Sequence, residues 1–479
     1  MTSSTMCRLS VSMSRRRGFG ASALAVFLIL SGCSGAQETE RTVDETPSEA
    51  VVSAEASRTP PPWTQPASLS PVDSCKVEDG QPSNTRGVME GTQVNGVRVR
   101  SNVGFPVSEG TLPIVGEANL IVAMVSFDDA PRSELTPEGF LAPQLEQITQ
   151  WSEFWSQGTF RYTFQMVDEW VNVPVNHADY PVNPRVDQEA SRRNAYEVAR
   201  LVTEALPDDL DYEKADGILI YWSPGIDEFS GDIGLQGFER GMALPTPQGP
   251  KGMFFWSGNK WHYTPQGTMT AEVKASYTWS FWIYLMLDAQ GLHNHGPGNG
   301  WPNGPQQLQV GLPEFSGALL GWDSFRMGWT RDEQVHCVLP DDLTEPVQVM
   351  LTPQEIYGGE RKLAVIPVSA SDVLVVESRR PVGYSATWDS GKSGVLVYSV
   401  NPMIAELDSR VGGGCGDDPA QPKWAFYLYP DNAGGDCRDF STAFVREGDT
   451  ITHEGLTISL EFSDDDLDYV TIDRLAPAQ

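Results

Sequence analysis

The stretch Ser280–Gly300, SFWIYLMLDAQGLHNHGPGNG, carries the spacing Tyr284-Leu285-x-x-Asp288-x-x-Gly291-Leu292. On a helix, two metal ligands at i and i+4 share one face, and an acid beside the first acts as base toward a metal-bound water. That chemistry needs imidazole, carboxylate and imidazole where this chain has Tyr284, Leu285 and Asp288. Leucine cannot accept a proton, and a phenol with its ordinary pKa near 10 is a poor metal ligand at neutrality. Asp288 alone supplies an oxygen. The spacing of a hydrolytic metal helix is present, and the groups that hydrolyse are not.

Other residues bear on the same chemistry. His293 and His295 flank Asn294 just after the helix, and on an extended backbone both side chains point to one face. Asp288, His293 and His295 therefore form the alternative, a relocated zinc site. No carboxylate stands where a base would be needed, so the plainer reading is two loop histidines that fix a Gly/Pro-rich turn by hydrogen bonds. The only His-Glu pair, His453-Glu454, falls in a β-like segment with Thr457 where a second His would stand. Carboxylates gather in Gly412–Pro419 and Phe462–Asp473, which raises calcium as a ligand, but neither run has EF-hand spacing. A G-x-S-x-G elbow and a Gly-rich phosphate loop are absent. No cofactor is expected, with zinc and calcium as the alternatives.

The elements that must position these residues follow from periodicity. ANLIVAMVSFDD (Ala118–Asp129) is a continuous apolar run, hence a buried strand. Leu135–Thr159 has Leu145, Ile148, Trp151, Phe154 and Trp155 at helical spacing, with Thr136 as N-cap, Pro137 in the first turn and Gly158 at the stop. Arg161–Pro174 reads as strand, Val186–Leu206 as an amphipathic helix, and Ala215–Pro224 as a second buried strand. The helix of the opening stretch spans about 270–292. TWSFWIYLML carries no charge, which suits a core helix and is too short for a membrane span. After Cys337 short β-like runs recur: PVQVMLTP, KLAVIPV, DVLVVESRR, GVLVYSV, KWAFYLYP, TISLEFS and DYVTID. The fold class expected is α+β.

At this point the chain resembles the immune-inhibitor-A-like and gametolysin-like secreted zinc metalloproteases. Their helix reads His-Glu-x-x-His-x-x-Gly-Leu, matching Tyr284, Leu285, Asp288, Gly291 and Leu292 position by position. Leu120–Pro131, Glu153–Phe164, Leu319–Trp329 and the strands LVVESRR and GVLVYSVN resemble further family segments in the same order. The resemblance implies a zincin-like α/β metalloprotease-type domain over 71–340, followed by an antiparallel β-sandwich-like domain over 341–477. With no His-Glu-x-x-His anywhere, it also implies a pseudoenzyme that binds protein or peptide. An active metal-dependent peptidase with unconventional ligands is the alternative, and an envelope adhesion protein using the β domain is a third reading.

The N-terminus reads as an export signal. Arg15–Arg17 precede the apolar run Ala21–Leu30, and LSGC ends in Cys33. This resembles a bacterial lipobox over 1–33, which makes Cys33 the lipidation site and the outer face of the cytoplasmic membrane the location. Ordinary cleavage near Ala36 would instead give a secreted chain. Residues 34–70 are rich in Glu, Thr, Ser, Pro and Ala and read as a disordered tether. Losing residues 1–32 removes four arginines and no acids, taking the net charge from −31 to −35. Such acidity argues against nucleic acid as a partner and leaves the lipid as the link to the membrane. Four cysteines remain, pairing as Cys415–Cys437 and Cys75–Cys337 in an oxidising location. A metal site made of them is disfavoured, because no CxxC occurs.

Overall fold

The computed structural model describes residues 62–80, 93–94, 97–98, 103–107, 110–181, 188–223, 244–252, 254–257, 263–264, 267–268, 278–292, 318–386, 388, 390–403, 425–433 and 440–475. The signal, Cys33, most of the tether, His293, His295, Cys415 and Cys437 lie outside them. No helix among the described residues is long and apolar enough to cross a membrane.

The chain is a mixed α+β structure. Its first large sheet is wholly parallel: β1 (Gly116–Phe127), β2 (Phe160–Met166), β3 (Val171–Val173), β4 (Gly217–Trp222) and β5 (Phe254–Ser257). β1 is central, with β2 and β3 along one side and β4 then β5 on the other. A parallel sheet is covered on both faces, so its strands are apolar at successive positions rather than at alternate ones. β1 shows how the pleat divides them. Leu120, Val122 and Met124 enter one core with α1 (Ala142–Trp155) and α3 (Thr278–Ala289). Ile121, Ala123 and Val125 enter another with α2 (Gln188–Ala205).

The local signals act as their chemistry dictates. Thr136 Oγ1 accepts from the Gly139 N–H at 3.1 Å, capping a wide first turn over Pro137–Leu141 that runs into α1. Leu145, Ile148, Trp151 and Trp155 are buried along the inward face of α1. The chain leaves α1 through Gln157 (φ 52°) and Gly158 (φ 79°), a left-handed exit that glycine adopts without steric cost.

Beyond residue 334 come two further sheets. β6 (Val335–Cys337), β8 (Leu363–Ser369), β9 (Asp372–Arg379), β10 (Gly394–Val400), β11 (Ala425–Tyr427) and β12 (Phe444–Val445) make one, and β7 (Val347–Leu351), β13 (Thr450–His453), β14 (Leu456–Ser463) and β15 (Asp468–Arg474) the other. Among the described residues every pairing within 341–477 is antiparallel, whereas β6 joins the edge of β8 in parallel. Alternate residues Ala364, Ile366, Leu374, Val376, Val395 and Val397 share a core with Val349, Leu351, Ile458, Leu460, Val470 and Ile472 of the second sheet. The opposite face of the six-stranded sheet packs on Val103, Trp322, Phe325 and the disulfide Cys75–Cys337. The end of the stretch read as tether is held here too. Ser68 Oγ accepts from Cys337 N at 2.8 Å, Ser70 Oγ accepts from Leu339 N at 2.9 Å, and Trp63 stands edge-on to Tyr469.

One core residue is mismatched to its surroundings. His336 on β6 is fully buried and neither ring nitrogen has a hydrogen-bond partner among the described residues. Burial, with the Arg361 charge second, pulls its pKa down to about 4 from the ordinary 6.5. The folded state therefore resists protonation, and stability falls as pH drops from about 6.5 to about 4, by at most about 1.4 kcal/mol per pH unit. His336→Leu removes two unsatisfied polar atoms. It is expected to raise stability at pH 7 by about 1–3 kcal/mol and to flatten this acid limb, as read by urea unfolding at several pH values.

Candidate functional site

Groups from other parts of the chain hold the described span of helix α3 near both of its ends. Trp279 N–H donates to Gln144 Oε1 of α1 at 3.0 Å. At the other end Ala289 C=O accepts from Thr111 N and Leu112 N at 2.7 and 3.0 Å, satisfying a carbonyl that the helix leaves open. The strand of chain that does this passes very close. A Cβ on Gly110 would sit 2.2 Å from the Ala289 oxygen, so only glycine fits there. Gly291 (φ 93°) then turns the chain left-handed, and Leu292 N–H bonds back to Leu287 C=O at 3.0 Å. That is a Schellman stop with glycine at C′. The Gly-Leu of the opening motif is thus the helix terminator.

Gln290 locks this terminus to the parallel sheet. It is fully buried, its Oε1 accepts from Tyr162 O–H at 2.7 Å and its Nε2 donates to Pro113 C=O at 2.6 Å. Burial pushes the Tyr162 phenol well above its ordinary pKa, so it stays a neutral donor. Gln290→Ala would orphan that hydroxyl. A loss of about 1–3 kcal/mol is expected in chemical unfolding, and adding Tyr162→Phe should recover part of it, because both polar partners are then gone.

Trp282, Ile283, Met286, Leu287 and Ala289 are buried in the core shared with α1 and β1. At 100° per residue, positions 284, 285 and 288 fall together on the other arc of the helix. So α3 sets the three motif positions on one side, as a ligand-bearing helix would. The side chains of Tyr284, Leu285 and Asp288 lie outside what the structure describes, as do His293 and His295 entirely.

The segment Leu319–Trp322 is held by buried charged and phenolic groups. Arg379 on β9 is fully buried and donates to Leu319 C=O at 2.6 Å, to Glu377 Oε1 at 2.7 Å and to Glu355 Oε1 at 2.9 Å. Glu377 Oε2 accepts from Gly321 N at 2.7 Å and from Tyr398 O–H at 3.2 Å, and that same phenol oxygen accepts from Trp322 N at 3.1 Å. Gly321 opens the short helix α4 (Gly321–Arg326). A Cβ there would lie 2.3 Å from the Glu377 carboxylate. Burial raises the Glu377 pKa, which Arg379 partly opposes. Burial alone would lower the Arg379 pKa, but Glu377 and Glu355 hold it up. Lys362 lies nearby with its ammonium on Pro353 and Ile356 carbonyls, and burial brings it down to about 7.

Motif spacing does not mark this cluster. Its signal is ESRR set inside the apolar strand DVLVVESRR, since charges in a strand buried on both faces need partners. The acidic run Phe462–Asp473 is likewise partly used inside the protein. Asp468 is fully buried and holds Arg380 at 2.7 Å while accepting from Ser463 O–H at 2.6 Å, and Asp464 accepts from Asp466 N and Leu467 N. Gly412–Pro419 lies outside the described residues. No protein-family model matches this sequence, and a search of curated proteins finds no match.

Proposed function

We propose that this chain is an exported, lipid-anchored protein in which a zincin-like domain and a β-sandwich-like domain serve to bind protein or peptide without cleaving it. The observation that carries the reading is α3. Its helical span, its arc of motif positions and its Gly291-Leu292 stop follow the frame of a metalloprotease helix, while Tyr284, Leu285 and Asp288 replace the ligands and base. The parallel sheet with helices on both faces, and the two sheets sharing one apolar core, support the two architectures. An open groove of about 610 Å³ lined by Glu117, Glu153, Phe154, Phe160, Arg161 and Tyr357 offers mixed aromatic and charged surface for a peptide.

The test is casein and peptide-library cleavage by the purified exported chain, with metal analysis beside it. No turnover above background, and no activity gained on adding zinc, are expected. Chelator-sensitive cleavage that is lost in His293→Ala or His295→Ala would replace this reading with that of an active peptidase using Asp288, His293 and His295. Lipidation at Cys33 is checked separately by mass spectrometry of the N-terminal peptide, with loss of the lipid in Cys33→Ala.

A further inference from the structure

The pair His453-Glu454, out of place as a helix motif, acquires a third member in the folded chain. His453 ends β13 and pairs with Leu456 of β14, leaving Glu454 and Gly455 as a two-residue turn with φ 45° and 76°. Both positions are left-handed, the geometry for which asparagine and glycine are favoured. A glutamate at the first of them is a poor choice for the turn itself, which suggests another use for its carboxylate. Asp372 arrives from the facing sheet, at the first residue of β9. Its Oδ2 lies 2.9 Å from His453 Nε2, and one donor atom from each of Asp372, His453 and Glu454 fits within 4.8 Å of the others. Among the described residues this is the one such group of three.

We propose that Asp372, His453 and Glu454 bind a divalent transition-metal ion of the zinc class, which fastens the two C-terminal sheets together at this edge. Donor atoms on neighbouring vertices around an ion with bonds of about 2.0–2.2 Å stand about 3 Å apart, so the present His453–Asp372 separation already suits shared ligation. One imidazole with two carboxylates selects a borderline cation; calcium and magnesium prefer oxygen alone. The surroundings orient the ligands. Ser399 O–H donates to Asp372 Oδ1 at 2.5 Å, and the Phe426 ring lies edge-on to the imidazole at 6.4 Å. His453 and Asp372 side chains are each 20 % exposed and Glu454 is exposed, so the ion has a route in and water completes its shell.

The experiment is calorimetric titration of ZnCl₂ into the untagged, chelator-stripped exported chain, paired with thermal unfolding. One equivalent bound and a raised Tm are expected, with CaCl₂ at equal concentration giving neither. Glu454→Gln and His453→Gln should each weaken zinc binding by at least about tenfold, and Ser399→Ala by roughly tenfold through the orientation of Asp372. Glu454→Gln is a surface change, so its metal-free Tm should match the parent and separates lost binding from lost folding. Absence of binding at about 100 μM zinc overturns the proposal, because no Tm shift can follow from an unfilled site. So does an affinity unchanged in both Gln variants, or one abolished only by His293→Ala or His295→Ala, which would place the ion beside α3 instead.

Discussion

Arg379→Met is expected to destabilise the protein by about 3–5 kcal/mol, because it strands two carboxylates away from water. Glu377 and Glu355 both have fully buried side chains, and Arg379 is the cation between them. Removing it leaves each carboxylate without its charge partner and close to the other. The Leu319 carbonyl also loses its donor, so the chain entering α4 is loosened. The pH dependence has a definite sign. Glu377 is already raised above its ordinary value by burial, and losing Arg379 raises it further. A carboxyl with a raised folded pKa is tolerated when protonated, so the penalty is smallest below the ordinary value near 4.5 and grows as pH climbs through the raised one. Urea unfolding of the parent and variant at acid and neutral pH measures this. Glu355→Gln and Glu377→Gln added to Arg379→Met should recover much of the loss, because the charges then leave together. A single variant within about 0.5 kcal/mol of the parent would show that the cluster contributes far less than its geometry implies.

Removing the disulfide in Cys75→Ala/Cys337→Ala is expected to cost about 2–5 kcal/mol. The bond spans 262 residues, so its loss frees a very long loop in the unfolded chain. Both cysteines are fully buried in the core beneath the six-stranded sheet, so two small cavities add to the entropic effect. A reductant added to the native parent should find no accessible sulfur, and cleavage should follow only on unfolding. Thermal unfolding of the double variant, and of the parent with and without reductant, measures both claims. An unchanged Tm in the double variant would mean that Ser68, Ser70 and the β6–β8 pairing hold this edge by themselves.

Much of the local structure was legible in the residues alone. The continuous apolar runs at Ala118–Asp129 and Ala215–Pro224 became β1 and β4, and the seven short runs after Cys337 all became strands. Thr136, Pro137, Gly158 and Gly291 mark helix boundaries by backbone chemistry that operates over a few residues. The helix expected over about 270–292 is described over Thr278–Ala289 and ends at the Gly291 stop, while 269–277 lie outside the described residues. The strands Phe254–Ser257, Val335–Cys337, Phe444–Val445 and Thr450–His453 carry no periodic signal, being too short to show an alternation.

What the sequence settled unaided was therefore the long, strongly periodic helices and strands, and that the motif positions on α3 hold a phenol, an isobutyl group and a single carboxylate. Tertiary structure alone decided that Arg379 sits between Glu355 and Glu377, that β6 enters the edge in parallel, and that Asp372 meets His453 across 81 residues. The reason is range. Periodicity and capping act between neighbours along the chain, whereas a buried charge or a ligand set is completed by whatever distant segment the packing of two sheets brings beside it.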